Sequence, residues 1–129
     1  MDNNPIRSYR DLRVYQQLYR AMVRVLKEVV PKLPAVEKCD LADQMRRVCK
    51  APPALIAEGF AKRHQKKNWQ KYIDDCLGEC NEMTNHLSVC IDVYPEYVSS
   101  ALCEELVEIY NNSGGQLYNL KKSWQNFHG

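Results

Sequence analysis

The chain has 129 residues, of which 45% are apolar and 26% charged, with 18 Lys and Arg against 16 Asp and Glu. That is one domain of ordinary globular composition, long enough to bury a core without metals or disulfides. It contains no apolar run near the ~20 residues of a membrane span. The near-neutral total hides a split: residues 1–71 hold 16 Lys and Arg against 7 Asp and Glu, whereas residues 72–129 hold 2 against 9. One half is strongly basic and the other strongly acidic. The opening MDNNPIRSYRD is polar and carries no signal-peptide core, so the expected compartment is the reducing cytoplasm.

Apolar spacing is helical throughout. Leu12, Tyr15, Tyr19, Met22, Leu26 and Val29 form a first stripe, which ends at Pro31 and Pro34. Leu41, Met45, Val48 and Pro52 form a second, continued by Leu55, Ile56 and Phe60. The stretch KRHQKK at 62–67 lacks apolar anchors and reads as a connection. A third stripe runs through Trp69, Ile73, Cys76, Cys80, Met83, Leu87, Cys90 and Tyr94, up to Pro95. The fourth comprises Val98, Leu102, Leu106, Ile109, Ser113, Leu117, Leu120, Trp124 and Phe127. Short connections make successive helices antiparallel. The expected fold is a single all-α domain over residues 1–129, an up-down-up-down four-helix bundle with helices near 9–30, 38–62, 66–93 and 97–126.

The tandem Pro52-Pro53 fixes the shape of the second helix. An interior proline costs a helix about 3 kcal/mol, but the first turn accepts one. The helix therefore stops near Lys50 and restarts, kinked, at the prolines. The restarted half, ALIAEGF, is apolar around most of its circumference, whereas a bundle helix needs one apolar stripe. The surplus predicts burial against another subunit through Pro53, Leu55, Ile56 and Phe60. Glu58, set among those residues, needs a partner if buried. Gly114-Gly115 costs a helix about 2 kcal/mol relative to alanine. It predicts either a local interruption of the fourth helix or a close approach by another helix.

The six cysteines, Cys39, Cys49, Cys76, Cys80, Cys90 and Cys103, fall in the helical repeats and read as small core fillers. No Cys-x-x-Cys pair exists, and Cys76, Cys80 and His86 are a poor zinc set, so no metal is expected. His64, His86 and His128 stand in no nucleophile–base pattern. Glu82 and His86 have the wrong spacing for a di-iron bundle. No phosphate loop, nucleotide fingerprint or Gly-x-Ser-x-Gly occurs. The expectation is a protein without enzymatic activity or cofactor.

The positive charges suggest a use. Arg13, Arg20, Arg24 and Lys27 recur along one side of the first helix. Arg46, Arg47 and Lys50 lie off the second stripe, and Lys62, Arg63, Lys66, Lys67 and Lys71 crowd the second connection. Such residues suit a phosphate backbone, RNA or DNA, bound without base readout and with steep salt dependence. The same charges have a competing use. They face an acidic set, Asp74, Asp75, Glu79, Glu82, Glu104, Glu105 and Glu108, so a basic face on one subunit could meet an acidic face on the next. A protein–protein assembly module with no nucleic-acid role is the alternative.

Several motifs resemble one family. Tyr9-Arg-Asp-Leu-Arg-Val-Tyr-Gln16, Leu41-Ala-Asp-Gln-Met-Arg-Arg47, Ile56-Ala-Glu-Gly-Phe60 and Cys76-Leu-Gly-Glu-Cys-Asn-Glu-Met-Thr-Asn-His-Leu87 are similar to the four-helix-bundle proteins encoded in intervening sequences of large-subunit ribosomal RNA genes. The likeness extends over residues ~8 to 124. Gly114-Gly115 looks like a double glycine in a related branch, the accessory proteins of diversity-generating retroelements. The family pattern has serine and asparagine where this chain has Ala51 and Leu55, which leans toward that branch. The resemblance implies a ring-shaped homo-oligomer, a pentamer in that branch, with Gly114 and Gly115 at the subunit interface. It also implies nucleic acid and a reverse transcriptase as partners.

Overall fold

The computed structural model describes residues 6–123; Trp124, Phe127 and His128 lie outside them. Every regular element among the described residues is helical. Ser8 opens the first: its hydroxyl accepts from the Arg10 N–H at 3.2 Å, while the Asp11 carboxylate accepts from the N–H groups of Arg7 and Ser8. Those two donors hold the Asp11 carboxyl below its ordinary pKa. After a short 3₁₀ turn, α1 runs Arg13–Arg24 and continues through a π turn at Val25–Val29. The wide turn lets the adjacent Val29 and Val30 both reach the core. Pro31, which has no N–H to donate, then ends the helix.

The buried stripe of α1 is Val14, Leu18, Ala21 and Val25. Of the line that the sequence suggested, Leu12 and Val29 are buried and Tyr15, Met22 and Leu26 pack partly buried against the core, whereas Tyr19 does not. Both lines have helical spacing and lie side by side. The smaller aliphatics take the interior, and the tyrosines stay at the boundary where their hydroxyls keep water. Tyr19 is 46% exposed.

The second helix is broken as expected. Helix α2 spans Leu41–Val48, Cys49 and Lys50 make a turn, and α3 spans Ala51–Ala61 with both prolines in its first turn. The surplus apolar surface of α3 is satisfied inside the chain. Pro52, Pro53, Ile56, Gly59 and Phe60 are buried, and Leu55 is half-buried against the same core. The reason is that α3 has two neighbours, α1 on one side and α4, Lys66–Val93, on the other. An added Cβ on Gly59 would lie 2.7 Å from the Cβ of Tyr72, so the bare backbone is what lets α4 come this close. The reason for assigning Pro53, Ile56 and Phe60 to a subunit interface is thereby removed. Glu58 is exposed and needs no buried partner.

The third stripe is buried as read, from Trp69 through Cys90. Helix α5, Ser100–Lys122, is capped by the Ser99 hydroxyl, which accepts from the Leu102 N–H at 3.2 Å. It runs unbroken through Gly114-Gly115, contrary to the expected interruption. Ser113 and Leu117, fully buried on either side of the pair, hold the helix to the core. No other helix among the described residues presses on the glycines either. A Cβ on Gly115 would meet nothing within 4 Å, and one on Gly114 would sit in ordinary contact, 3.7 Å from Leu77.

Cross-helix ties set the directions. Gln116 donates to Gln17 at 2.7 Å and Arg24 pairs with Glu105 at 3.0 Å, so α1 and α5 run antiparallel. Lys121 pairs with Asp74 at 2.8 Å and Leu77 lies beside Gly114, so α4 and α5 do too. Five cysteines are buried and all six are unbridged; Cys39, in the turn before α2, is exposed. At one end of the bundle the Tyr94 hydroxyl donates to the Glu37 carboxylate, which also accepts the Leu41 N–H at 3.1 Å and so caps α2.

Gly59→Ala should lower stability, because an overpacking cost of about 1–3 kcal/mol exceeds the ~1 kcal/mol of helix propensity gained. Gly115→Ala should raise stability by about 0.5–1 kcal/mol, since the methyl enters open space. Urea unfolding of the two variants reads both signs. The Glu37 carboxyl is held below its ordinary pKa by Tyr94 first and the Leu41 N–H second. Its stabilisation is therefore present above the ordinary carboxylate pKa and fades as pH falls through the lowered one. Tyr94→Phe should make the acid limb of the stability–pH curve shallower, as followed by circular dichroism.

Candidate nucleic-acid interface

Three of the basic residues of α1 come together in one open cleft against α5. Arg13, Gln16, Gln17, Arg20, Ala21, Arg24 and Ile109 line a space of about 510 Å³. Its floor is fixed by Gln17, whose side-chain amide donates to the Ile109 carbonyl at 3.4 Å while its oxygen accepts from Gln116. Arg24 is tied down by Glu105 at 3.0 Å and Glu28 at 3.4 Å, and these partners, Glu105 first, raise its pKa. Arg13 and Arg20 are exposed and make no ion pair or hydrogen bond among the described residues. Their charge is thus uncompensated at short range. Lys27, on the π turn, is also exposed.

The second group surrounds the connection at 62–65. The Lys62 ammonium donates to the Tyr72 hydroxyl at 3.0 Å and lies 5.2 Å from the centre of its ring. Arg63 donates to the Phe60 carbonyl at 2.8 Å and stacks 4.1 Å over its ring. Lys71 pairs with Asp75 at 2.9 Å, and Lys66 and Lys67 are exposed at the start of α4. Lys62, Arg63 and Lys71 are held in place by these contacts. The start of α1 packs on the end of α5, where Leu12, Arg13, Leu120 and Ser123 share a depression. The end of α5 in turn meets the start of α4 through Lys121 and Asp74. One end of the bundle therefore carries Arg7, Arg10, Arg13, the 62–67 cations, Lys121 and Lys122.

The third group goes elsewhere. Arg46 donates to the Lys38 carbonyl at 3.1 Å, and Arg46 and Arg47 share Asp43 at 3.5 and 3.0 Å. Arg47 also lines a depression with Glu79 and Glu82 of α4. Arg46 and Arg47 thus lie on a different helix, beside acid, and Lys50 lies in the turn that follows it. The twelve positions picked from the sequence do not form one surface.

The acidic half is partly used within the chain. Glu105 meets Arg24 and Asp74 meets Lys121, pairs at the solvent boundary that add little to stability. Among the described residues no group of His, Cys, Asp and Glu could hold a metal ion. His86 instead sits 3.2 Å from Glu82. No helix among the described residues is long and apolar enough to cross a membrane.

Sequence reasoning missed Lys121 and Lys122, because they sit in the acidic half and reach the basic end only through the antiparallel return of α5. It also placed Tyr19 in the core, where the structure leaves it exposed. The available signal was the competing Val14–Leu18–Ala21–Val25 line, which has the same spacing.

No curated protein and no solved structure matches the chain. The model of one family, 23S rRNA-intervening sequence protein, matches residues 10–119. This agrees with the first of the two likenesses carried by the motifs at 9–16, 41–47, 56–60 and 76–87. The match takes in all five α-helices to within a few residues of the end of α5, and the chain belongs to the 23S rRNA-intervening sequence protein family.

Proposed function

We propose that this protein is a non-enzymatic nucleic-acid-binding bundle. It engages the phosphate backbone, without base readout, through the outer face of α1 and the basic end of the fold. The observation that supports this most is the unpaired state of Arg13 and Arg20 beside a cleft whose floor is pinned by Gln17. Uncompensated arginines on a rigid helix are suited to phosphate, because their charge is not already spent on a neighbour. The 62–67 cations and the lysines at the end of α5 extend the positive field beyond the cleft.

A second reading is an assembly module without nucleic acid, and Gly115 favours it. A solvent-facing glycine in mid-helix lowers stability, and nothing among the described residues uses the space it leaves. A partner helix laid on α5 would use it, whether from a sister subunit of a ring or from a reverse transcriptase. A ring would multiply the binding sites and raise avidity.

In a filter-binding titration at about 50 mM salt, the wild type should retain a short RNA, with log affinity falling linearly against log salt. The double variant Arg13→Glu with Arg20→Glu should lose at least about tenfold in affinity and about two units of slope. Arg46→Glu should change little. Failure of the wild type to bind at that salt would remove the nucleic-acid reading. Light scattering of wild type and Gly115→Leu tests the assembly reading: a multimer that dissociates in the variant supports it, and a monomer in both removes it.

A further inference from the structure

The head of α1 carries aromatic rings beside its arginines, and the core does not claim all of their surface. Tyr9 and Tyr15 meet edge to face with ring centres 4.9 Å apart, and Tyr15 and Tyr19 follow at 5.9 Å with their planes tilted by 33°. The Arg10 guanidinium lies 5.2 Å from the centre of the Tyr9 ring. Tyr15, Gln16 and Tyr19 line a depression of about 270 Å³ between Arg10 and Arg20. Gln16 and Arg20 also line the arginine cleft, so the aromatic depression and the cleft are continuous around the outer face of the helix. The end of this row is open: Tyr19 is 46% exposed, and no hydrogen bond of its hydroxyl occurs among the described residues.

We propose that Tyr19, backed by Tyr15, is a stacking platform for an unpaired base, so that this face prefers single-stranded nucleic acid to duplex. The inference rests on the reading that α1 binds a phosphate backbone. The chemistry has two parts. An exposed aromatic ring flanked by cations offers a flat apolar face to a base while the cations neutralise the phosphates on either side. A duplex cannot use that ring, because its base faces are already stacked inside the helix, and it presents only its backbone to the arginines. A single strand can present both. Every base has a π-face, so stacking adds affinity without adding sequence preference, in line with the absence of a base-reading motif. Tyr15 supports Tyr19 from behind, and with a half-buried ring it holds the row at a fixed angle.

Fluorescence anisotropy with a single-stranded oligonucleotide, the same strand in duplex, and the same strand carrying abasic sites tests the proposal. The wild type should bind the single strand about tenfold more tightly than either of the others. Tyr19→Ala and Tyr19→Leu should each weaken single-strand binding by about tenfold and leave duplex binding within about twofold, whereas Tyr19→Phe should behave as wild type. The ring is at the surface, so these variants keep the fold, which circular dichroism verifies. Equal wild-type affinity for the three ligands, or no effect of Tyr19→Ala, overturns the platform and leaves the phosphate reading standing. Binding to none of them at about 50 mM salt overturns both.

Discussion

Pro52 and Pro53 can enter a helix only through its first turn, and the bundle is arranged around that constraint. The missing N–H groups force the second helix to stop and begin again. The new segment, α3, leaves the line of α2 and settles between α1 and α4, so it is covered on two sides. That explains why its sequence is apolar around most of its circumference while none of those residues needs a second subunit. The Pro52 carbonyl accepts from the Cys76 thiol at 3.5 Å, and the Gly59 backbone rests on Tyr72 and Trp69. The two contacts fix α3 to α4 at both ends. With the second helix accommodated in this way, α1 has neighbours only on its inner flanks and keeps its outer face for solvent.

That outer face carries the proposed function. A helix with two parallel lines of apolar spacing must choose one to bury. Here the valine–leucine–alanine line packs, and the tyrosine line is left at the boundary beside the arginines. The choice follows from shape: Leu18 and Val25 are fully enclosed by the core, and ring hydroxyls at those positions would need buried partners. The result is a strip of cation and aromatic residues on a rigid support. The same strip is flanked by α5, whose Glu105 takes up Arg24 but leaves Arg13 and Arg20 unpaired among the described residues.

The fold was largely legible in the sequence. The four-three rhythm from Trp69 to Cys90 located α4 and its buried side, and the prolines located every break except the one at 62–65, which the charge run marked. What was not legible depended on which neighbour a helix meets. The apolar excess of α3 looked like an interface because one-dimensional periodicity carries no information on whether one or two helices cover a segment. Gly114-Gly115 looked like a break because propensity counts the cost of glycine and omits the buried Ser113 and Leu117 that hold the turn in place. Of the site, Arg13, Arg20 and Arg24 were readable from spacing alone. The separation of Arg46 and Arg47 from them, and the arrival of Lys121 and Lys122 at the basic end, required the three-dimensional return of the chain.

The most direct measurement of the central claim is photocrosslinking of the bound protein to a nucleic acid, with the attached peptides identified by mass spectrometry. The account places crosslinks on the outer face of α1, within residues 10–20, and at the 62–67 connection. Crosslinks concentrated on α2 around Arg46 and Arg47, with α1 left unmodified, would contradict it.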